Sequence, residues 1–373
     1  MAFDSVIGQD RIKKLFVSVM KQNRLAHAYL FTGPPGVGKD AMAIRLAMGL
    51  NCIHQNIEGC GTCISCRQVQ KLEHPAFKMI LPAPTRPKSM KLEKYNNLVR
   101  EKCLARIENP YREISFTPAI AALPGIGIDQ IRTLRHETLL KQSQGKFRVF
   151  LLSHADRMTV PASNSLLKLL EEPPPATILL LSTAAPGQIL PTIASRCQTI
   201  RFDALSENDI ELALIHRWKF DEDNARFFSR LASGSLQRAL AMAGENYEAL
   251  RASAWNYLTL SVQGNQLERM DECDSLIQQF DKAGIQSVLQ LLLTWLRDLV
   301  CLKSGVPEKM VNLDRESILM RFLQQYDDLD FGTALYDTER AIASLKKNVY
   351  LNLIVHTLSE RLNKLSKTRL KQK

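Results

Sequence analysis

A chain of 373 residues has room for two or three domains, and a composition of 45% hydrophobic and 23% charged residues excludes both a disordered polymer and a small disulfide-stapled scaffold. A formal net charge of +11 points to anionic partners: nucleic acid, nucleotide or an acidic protein surface. No run approaches the roughly 20 apolar residues that cross a bilayer, and the opening MAFDSVIGQD is polar and acidic, unlike a signal or transit peptide, so a cytoplasmic protein without a membrane partner is expected.

Residues 26–32 (AHAYLFT) form a short apolar run that ends in GPPGVGKD, and a helical pattern, AMAIRLAMGL, follows. Strand, glycine-rich turn and helix in that order are the setting of a phosphate-binding loop. The amides around Gly33, Gly36 and Gly38 would wrap phosphate oxygens, and Lys39 would reach the outer phosphates. The next position calls for Ser or Thr, whose hydroxyl ligates Mg²⁺, but holds Asp40. A carboxylate there suits the helix dipole when the loop is empty and meets like charge when a polyphosphate is bound. A loop that is empty or weakly occupied is therefore expected.

Four of the eight cysteines fall between Cys52 and Cys66, as C-x7-C-x2-C-x2-C over Cys52, Cys60, Cys63 and Cys66. Two overlapping C-x2-C steps let three thiolates face one tetrahedral ion, and a fourth closes the shell, which reads as a structural Zn²⁺ site; an iron–sulfur site or free thiols are the alternatives. Gly59 and Gly61 permit the tight turns, and His54 and His74 are bystanders.

Residues 82–127 extend beyond a minimal α/β domain, rich in Pro, Lys and Arg over 82–94 and with a helix expected over about 90–107. They read either as an exposed spacer or as a surface whose basic half could approach DNA. A second strand is expected over 148–152 (RVFLL) and a third over 177–182, both continuously apolar as in a buried parallel sheet. Hydrolysis needs acids at the end of the second strand, where Ser153 and His154 stand instead, and Asp156 lies too far along to replace them. A helix over 161–170 is closed by Glu171, Glu172 and three prolines. Beyond Phe202 only helical patterns follow: 207–219, 223–231, 236–243, a stripe through Ile285, Val288, Leu289, Leu292, Leu296 and Leu299 with Arg297 and Asp298 off it, then 315–326 and 339–362. The fold class is therefore α/β plus all-α.

The phosphate loop, the cysteine knuckle after its helix, Ile128-Asp129-Gln130-Ile131-Arg132, Leu166 to Pro174 (LLKLLEEPP) and Ser195-Arg196-Cys197 together resemble the AAA+ clamp-loader subunits of bacterial DNA polymerase III, strongly from residue 4 to about 245. The resemblance implies an AAA+ domain with a parallel sheet over 1–203, carrying the zinc knuckle 52–66 and the insertion 82–127, a three-helix lid over 204–245, and a helical collar over 246–373 for oligomerisation. It implies that Arg196 is an arginine finger acting on a neighbouring subunit's nucleotide, with a structural arginine paired to a local acid as the alternative. It also makes Thr183 the polar sensor, and it places Gln237 where a lid arginine would read nucleotide, with Arg238 one position late. The missing hydroxyl, acids and lid arginine are the departures of the non-hydrolysing delta-prime type. Its implied partners are gamma/tau motor subunits and delta in a pentameric ring, with the sliding clamp and primer-template DNA reached through the complex. ATP with Mg²⁺ is not expected to be hydrolysed here, and DNA polymerase activity belongs to the holoenzyme. The alternatives are an ATP-hydrolysing gamma-type motor and a stand-alone zinc-containing DNA-binding protein.

Overall fold

Five short strands, β1 (Ala28–Thr32), β2 (Phe77–Ile80), β3 (Arg148–Leu152), β4 (Thr177–Thr183) and β5 (Gln198–Arg201), pair in parallel in the order β2-β3-β4-β1-β5. The computed structural model describes residues 3, 5–114, 116, 124–139, 145–244, 247–345 and 349–365, and the chain divides into two compact units, Met1–Ala241 and Met242–Lys373. Every residue of β1 and β4 is buried, which is why both read as unbroken apolar runs. The sequence reading missed β2 and β5. Both are four-residue edge strands: β2 alternates in burial and β5 buries only Ile200, so neither carries the apolar run that marks a central strand.

Register decides what meets at the carboxyl edge of the sheet. Thr32 pairs with Thr183 and Leu152 with Leu181, so the chain leaving β1, β3 and β4 emerges side by side, the place where open α/β sheets bind ligands. Helix α1 (Asp10–Lys21) precedes β1, and α2 (Lys39–Leu50) follows it directly. Helix α3 (Ile64–Gln70) leads into β2, and α4 (Leu92–Glu108) and α5 (Ile128–Leu139) lie between β2 and β3. Helices α6 (Val160–Glu171), started by Thr159 accepting from the amide of Ala162, and α7 (Pro191–Ala194) flank β4. One core joins Leu30, Phe150, Leu152, Leu179 and Leu181 of the sheet to Ile131, Leu134, Leu166 and Leu170 of the helices.

Among the described residues of the segment 82–127, the stretch over 85–101 is largely exposed, but the part beyond it is not a mere spacer. Cys103, Arg106 and Ile107 of α4 are buried, and Tyr111 beyond it is fully buried. Residues 115 and 117–123 lie outside those described. Helices α8 (Glu207–Trp218), α9 (Glu222–Leu231) and α10 (Leu236–Gly244) follow the sheet, the first two capped by Ser206 and Asp221, as the short helical patterns there predict.

In the second unit α11 (Tyr247–Gln263), α12 (Gln266–Gln279), α13 (Lys282–Lys303), α14 (Glu316–Gln325), α15 (Phe331–Leu345) and α16 (Leu351–Leu365) form an all-helical layer. The pattern over 339–362 belongs to two helices rather than one. Helix α13 bears on two further expectations. By length and apolar composition it could cross a membrane, although 56% of the window is buried inside the protein. Asp298 lies off the apolar stripe, as read, yet is only 1% exposed. Its carboxylate accepts from the amides of Val311 and Asn312 and from the Asn312 side chain, while Arg251 donates to Asn312 and Asp314; pairing of this kind is what permits a buried acid.

Candidate functional site

The phosphate loop has the backbone that its sequence requires, with Gly33, Gly36 and Gly38 all at positive φ. Its contents differ from those of an open loop. The Lys39 ammonium turns back and donates to the carbonyls of Gly33 (2.7 Å) and Pro34 (2.5 Å). Burial pushes its pKa down to about 8, with Asp40 and Asp156 pulling the other way.

Asp40, in the first turn of α2, is 7% exposed and fully engaged. Ser153, at the end of β3, donates to Oδ2 at 2.5 Å, and Ser182, near the end of β4, donates to Oδ1 at 2.5 Å. The guanidinium of Arg106, 5% exposed on α4, lies 3.5 Å from the same carboxylate, and its Nη1 donates to the carbonyl of Pro110. Burial alone would raise the pKa of Asp40; Arg106, His154 and the two hydroxyls outweigh it and hold the carboxyl below its ordinary value. The three strand ends thus converge on an ion pair made by the protein itself.

Two further segments close the loop. A Cβ on Gly36 would stand 2.4 Å from Ser235 Oγ and 2.5 Å from Gln237 Cβ, so the turn into α10 lies directly on the glycine. The Tyr111 hydroxyl accepts from the amide of Ile7 at 2.9 Å and stands 3.0 Å from where a Gly38 Cβ would be. The cavity left among Gly36, Lys39, Asp40, Arg106, His154 and Thr183 has a volume of about 30 Å³. That is room for about one water and not for a triphosphate.

Thr183 ends β4 as expected, and its hydroxyl donates to Asp156 at 2.6 Å while accepting from the amide of Ala185. Arg196 lies just past α7, part-exposed, with Nη2 2.9 Å from Glu171 and Nη1 donating to the carbonyl of Thr192. It is thus paired with a local acid, the alternative the sequence left open. Glu171 is the last residue of α6, where a carboxylate opposes the helix dipole unless a cation meets it.

The four cysteine sulfurs lie within 4.8 Å of one another, and neither His54 nor His74 joins them. His74 instead accepts from the amide of Ala76 through Nδ1. Cys60 accepts from the Thr62 hydroxyl and the Cys63 amide, and Cys63 from the Cys66 amide. The Thr62 hydroxyl, then the amides, bring the Cys60 thiol down to about 5, whereas burial pushes the Cys66 thiol up. Four sulfurs at this spacing, with N–H donors that favour thiolates, fit the shell of one tetrahedral metal ion.

Sequence reasoning missed Arg106, Tyr111 and Ser182. The one available signal was Arg106 itself, a cation on the face of α4 shared by Cys103 and Ile107.

The family described as DNA polymerase III, delta subunit, matches residues 8–206, and one described as DNA polymerase III, delta subunit, C terminal, matches residues 265–353. A DNA polymerase III subunit delta' of Bacillus subtilis is 26% identical over 355 residues, 95% of this chain and 94% of that protein. A subunit tau of the same organism is 26% identical over 246 residues, 64% of this chain but 37% of that protein. A subunit gamma/tau of Mycobacterium tuberculosis is 31% identical over 205 residues, 55% of this chain and 29% of that protein. The chain thus spans nearly all of the first relative and about a third of the other two. A solved gamma subunit-related protein of Thermotoga maritima aligns over 96% of this chain and 100% of its own at 13% identity, with a TM-score of 0.46.

Proposed function

We propose, because this chain belongs to the DNA polymerase III, delta subunit, family, that it is the non-hydrolysing, delta-prime-type stator of the clamp loader, contributing Arg196 to the nucleotide of a neighbouring ATPase subunit while a sliding clamp is loaded on primed DNA. The observation that carries this reading is the buried Asp40, bonded to Ser153 and Ser182 and paired with Arg106 where a hydrolysing loop would hold Mg²⁺ and phosphate. A gamma-type motor would need a free carboxylate at the end of β3; Ser153 stands there and is already committed.

The neighbour's nucleotide would be reached by Arg196, whose planar guanidinium bridges phosphate oxygens in the way that a lysine cannot. Its present partner is weak competition, because an exposed ion pair contributes about 0.2–1 kcal/mol. Gly33, Gly36, Gly38, Lys39 and Thr183 are then the remains of a nucleotide site that keeps its backbone but not its vacancy. Cys52, Cys60, Cys63 and Cys66 would hold one structural Zn²⁺, with no open position for chemistry. The gamma/tau motors and delta are the proposed ring partners, residues 204–245 the lid, 246–373 the collar, and the cytoplasm the location.

The test is phosphate release by the isolated chain with MgATP. Background turnover, unchanged in Lys39→Ala, is expected; turnover well above background that disappears in Lys39→Ala would replace the stator with a motor.

A further inference from the structure

A second cavity, of about 440 Å³, lies in the first unit on the far flank of α2. It is within the range of about 300–1,000 Å³ that holds small organic ligands, while the space left at the phosphate loop is about 30 Å³. Pro110 is the single residue common to both linings. The lining is part polar and part apolar, the apolar part coming from Ile44 and Met48 of α2 and Leu104 and Ile107 of α4.

What distinguishes this cavity is the pair of guanidiniums, Arg45 and Arg217, in its lining. Arg45, on the same face of α2, is half-buried, and among the described residues its guanidinium makes neither a hydrogen bond nor an ion pair. Arg217, at the end of α8, has no ion pair among the described residues either; Nη1 donates to the carbonyl of Ser5 at 3.1 Å, and the guanidinium is stacked 5.0 Å from the Trp218 ring. Burial lowers the pKa of Arg45; the charge of Glu58 opposes this, and the charge of Arg217 adds to it. The Ser5 hydroxyl, also in the lining, is buried with no hydrogen-bond partner. Glu108 is the one acid among the described residues of the lining, and it is exposed.

A buried hydroxyl without a partner is costly, and two neighbouring guanidiniums, one half-buried and one exposed, repel each other across the cavity. One ligand chemistry relieves all of them. We propose that this cavity binds a phosphate monoester with an apolar or planar body, the phosphate bridging Arg45 and Arg217 and accepting from Ser5, and the body packing on Ile44, Met48, Leu104 and Ile107. Guanidinium forks match phosphate oxygens in pairs. Glu108 disfavours a ligand whose charge extends along the rim, so a monophosphate is preferred to pyrophosphate. This site is independent of the clamp-loader reading, which concerns the other flank of α2.

The test is calorimetric titration of the full chain with AMP, phenyl phosphate and inorganic phosphate at matched ionic strength. AMP or phenyl phosphate is expected to bind more tightly than inorganic phosphate. Equal binding of the two would assign recognition to any planar body, and binding of AMP alone to a nucleotide. Arg217→Ala, which removes an exposed side chain, and Arg45→Lys should each weaken binding at least about tenfold, while Lys39→Ala leaves it unchanged. Binding of none of the three probes, binding no tighter than that of inorganic phosphate, or binding lost in Lys39→Ala and retained in both arginine variants would overturn the proposal.

Discussion

On the proposed reading Asp40 carries most of what separates this phosphate loop from a hydrolysing one, and its surroundings make it testable. Arg106→Met leaves a buried carboxylate without its cation, and breaking such a pair costs about 3–5 kcal/mol. Urea unfolding should show that loss, and Asp40→Asn in the same background should restore most of it; an unchanged midpoint for Arg106→Met would mean that the pair contributes nothing. The pH dependence has two opposite signs. The Asp40 carboxyl is held below its ordinary 3.8, so the folded state binds fewer protons. Its contribution is complete above that value and is lost as pH falls through the lower, folded one. Lys39 is lowered from 10.5 to about 8, so between those values the unfolded chain binds more protons, and stability rises with pH across the window. Relative to Lys39→Met, the wild-type chain should gain stability from pH 8 to 10.5, and a difference that shrinks there would contradict the burial of this ammonium. The absence of an Mg²⁺-binding hydroxyl at Asp40 and of acids at Ser153 and His154 was legible in the sequence, because loop and strand fix where those residues fall. Arg106 was not, because its partner is 66 positions away and only tertiary packing brings α4 to α2.

At the scale of elements, what could be read followed burial on both faces. Strands β1, β3 and β4 announce themselves as apolar runs, while β2 and β5 have one covered face and too few residues for a period to show. The burial of Asp298 was not legible for a related reason: an acid beside an apolar stripe is ordinarily solvated, and its amide and Asn312 partners lie beyond the helix. The cysteine knuckle was the most legible element, since its ligands are local in sequence. One metal ion per chain is expected by elemental analysis, with loss of zinc in the Cys60→Ser, Cys63→Ser double variant. Chelation should unfold the 52–66 turn and increase its proteolysis, because metal binding and local folding are one equilibrium here. A chain that holds no zinc, or whose zinc survives the double variant, would remove the metal from this account.

For the whole molecule, assembly is proposed for the second unit and an arginine acting in trans for the first. A chain ended after residue 245 should fail to enter the ring formed by the other subunits, as read by size-exclusion chromatography, and normal entry would free residues 246–373 of that role. In the ring, Glu171→Ala should release Arg196 from its present partner without harming assembly, because the pair is exposed and weak. The most direct measurement compares two variants of this chain in loaders reconstituted with wild-type motor subunits: DNA-stimulated ATP turnover with Arg196→Ala and with Lys39→Ala. If this subunit lends a finger and hydrolyses nothing, Arg196→Ala assembles but lowers turnover and clamp loading, and Lys39→Ala changes neither. Turnover that survives Arg196→Ala and falls in Lys39→Ala would show that the phosphate loop of this chain works after all, and would contradict the account.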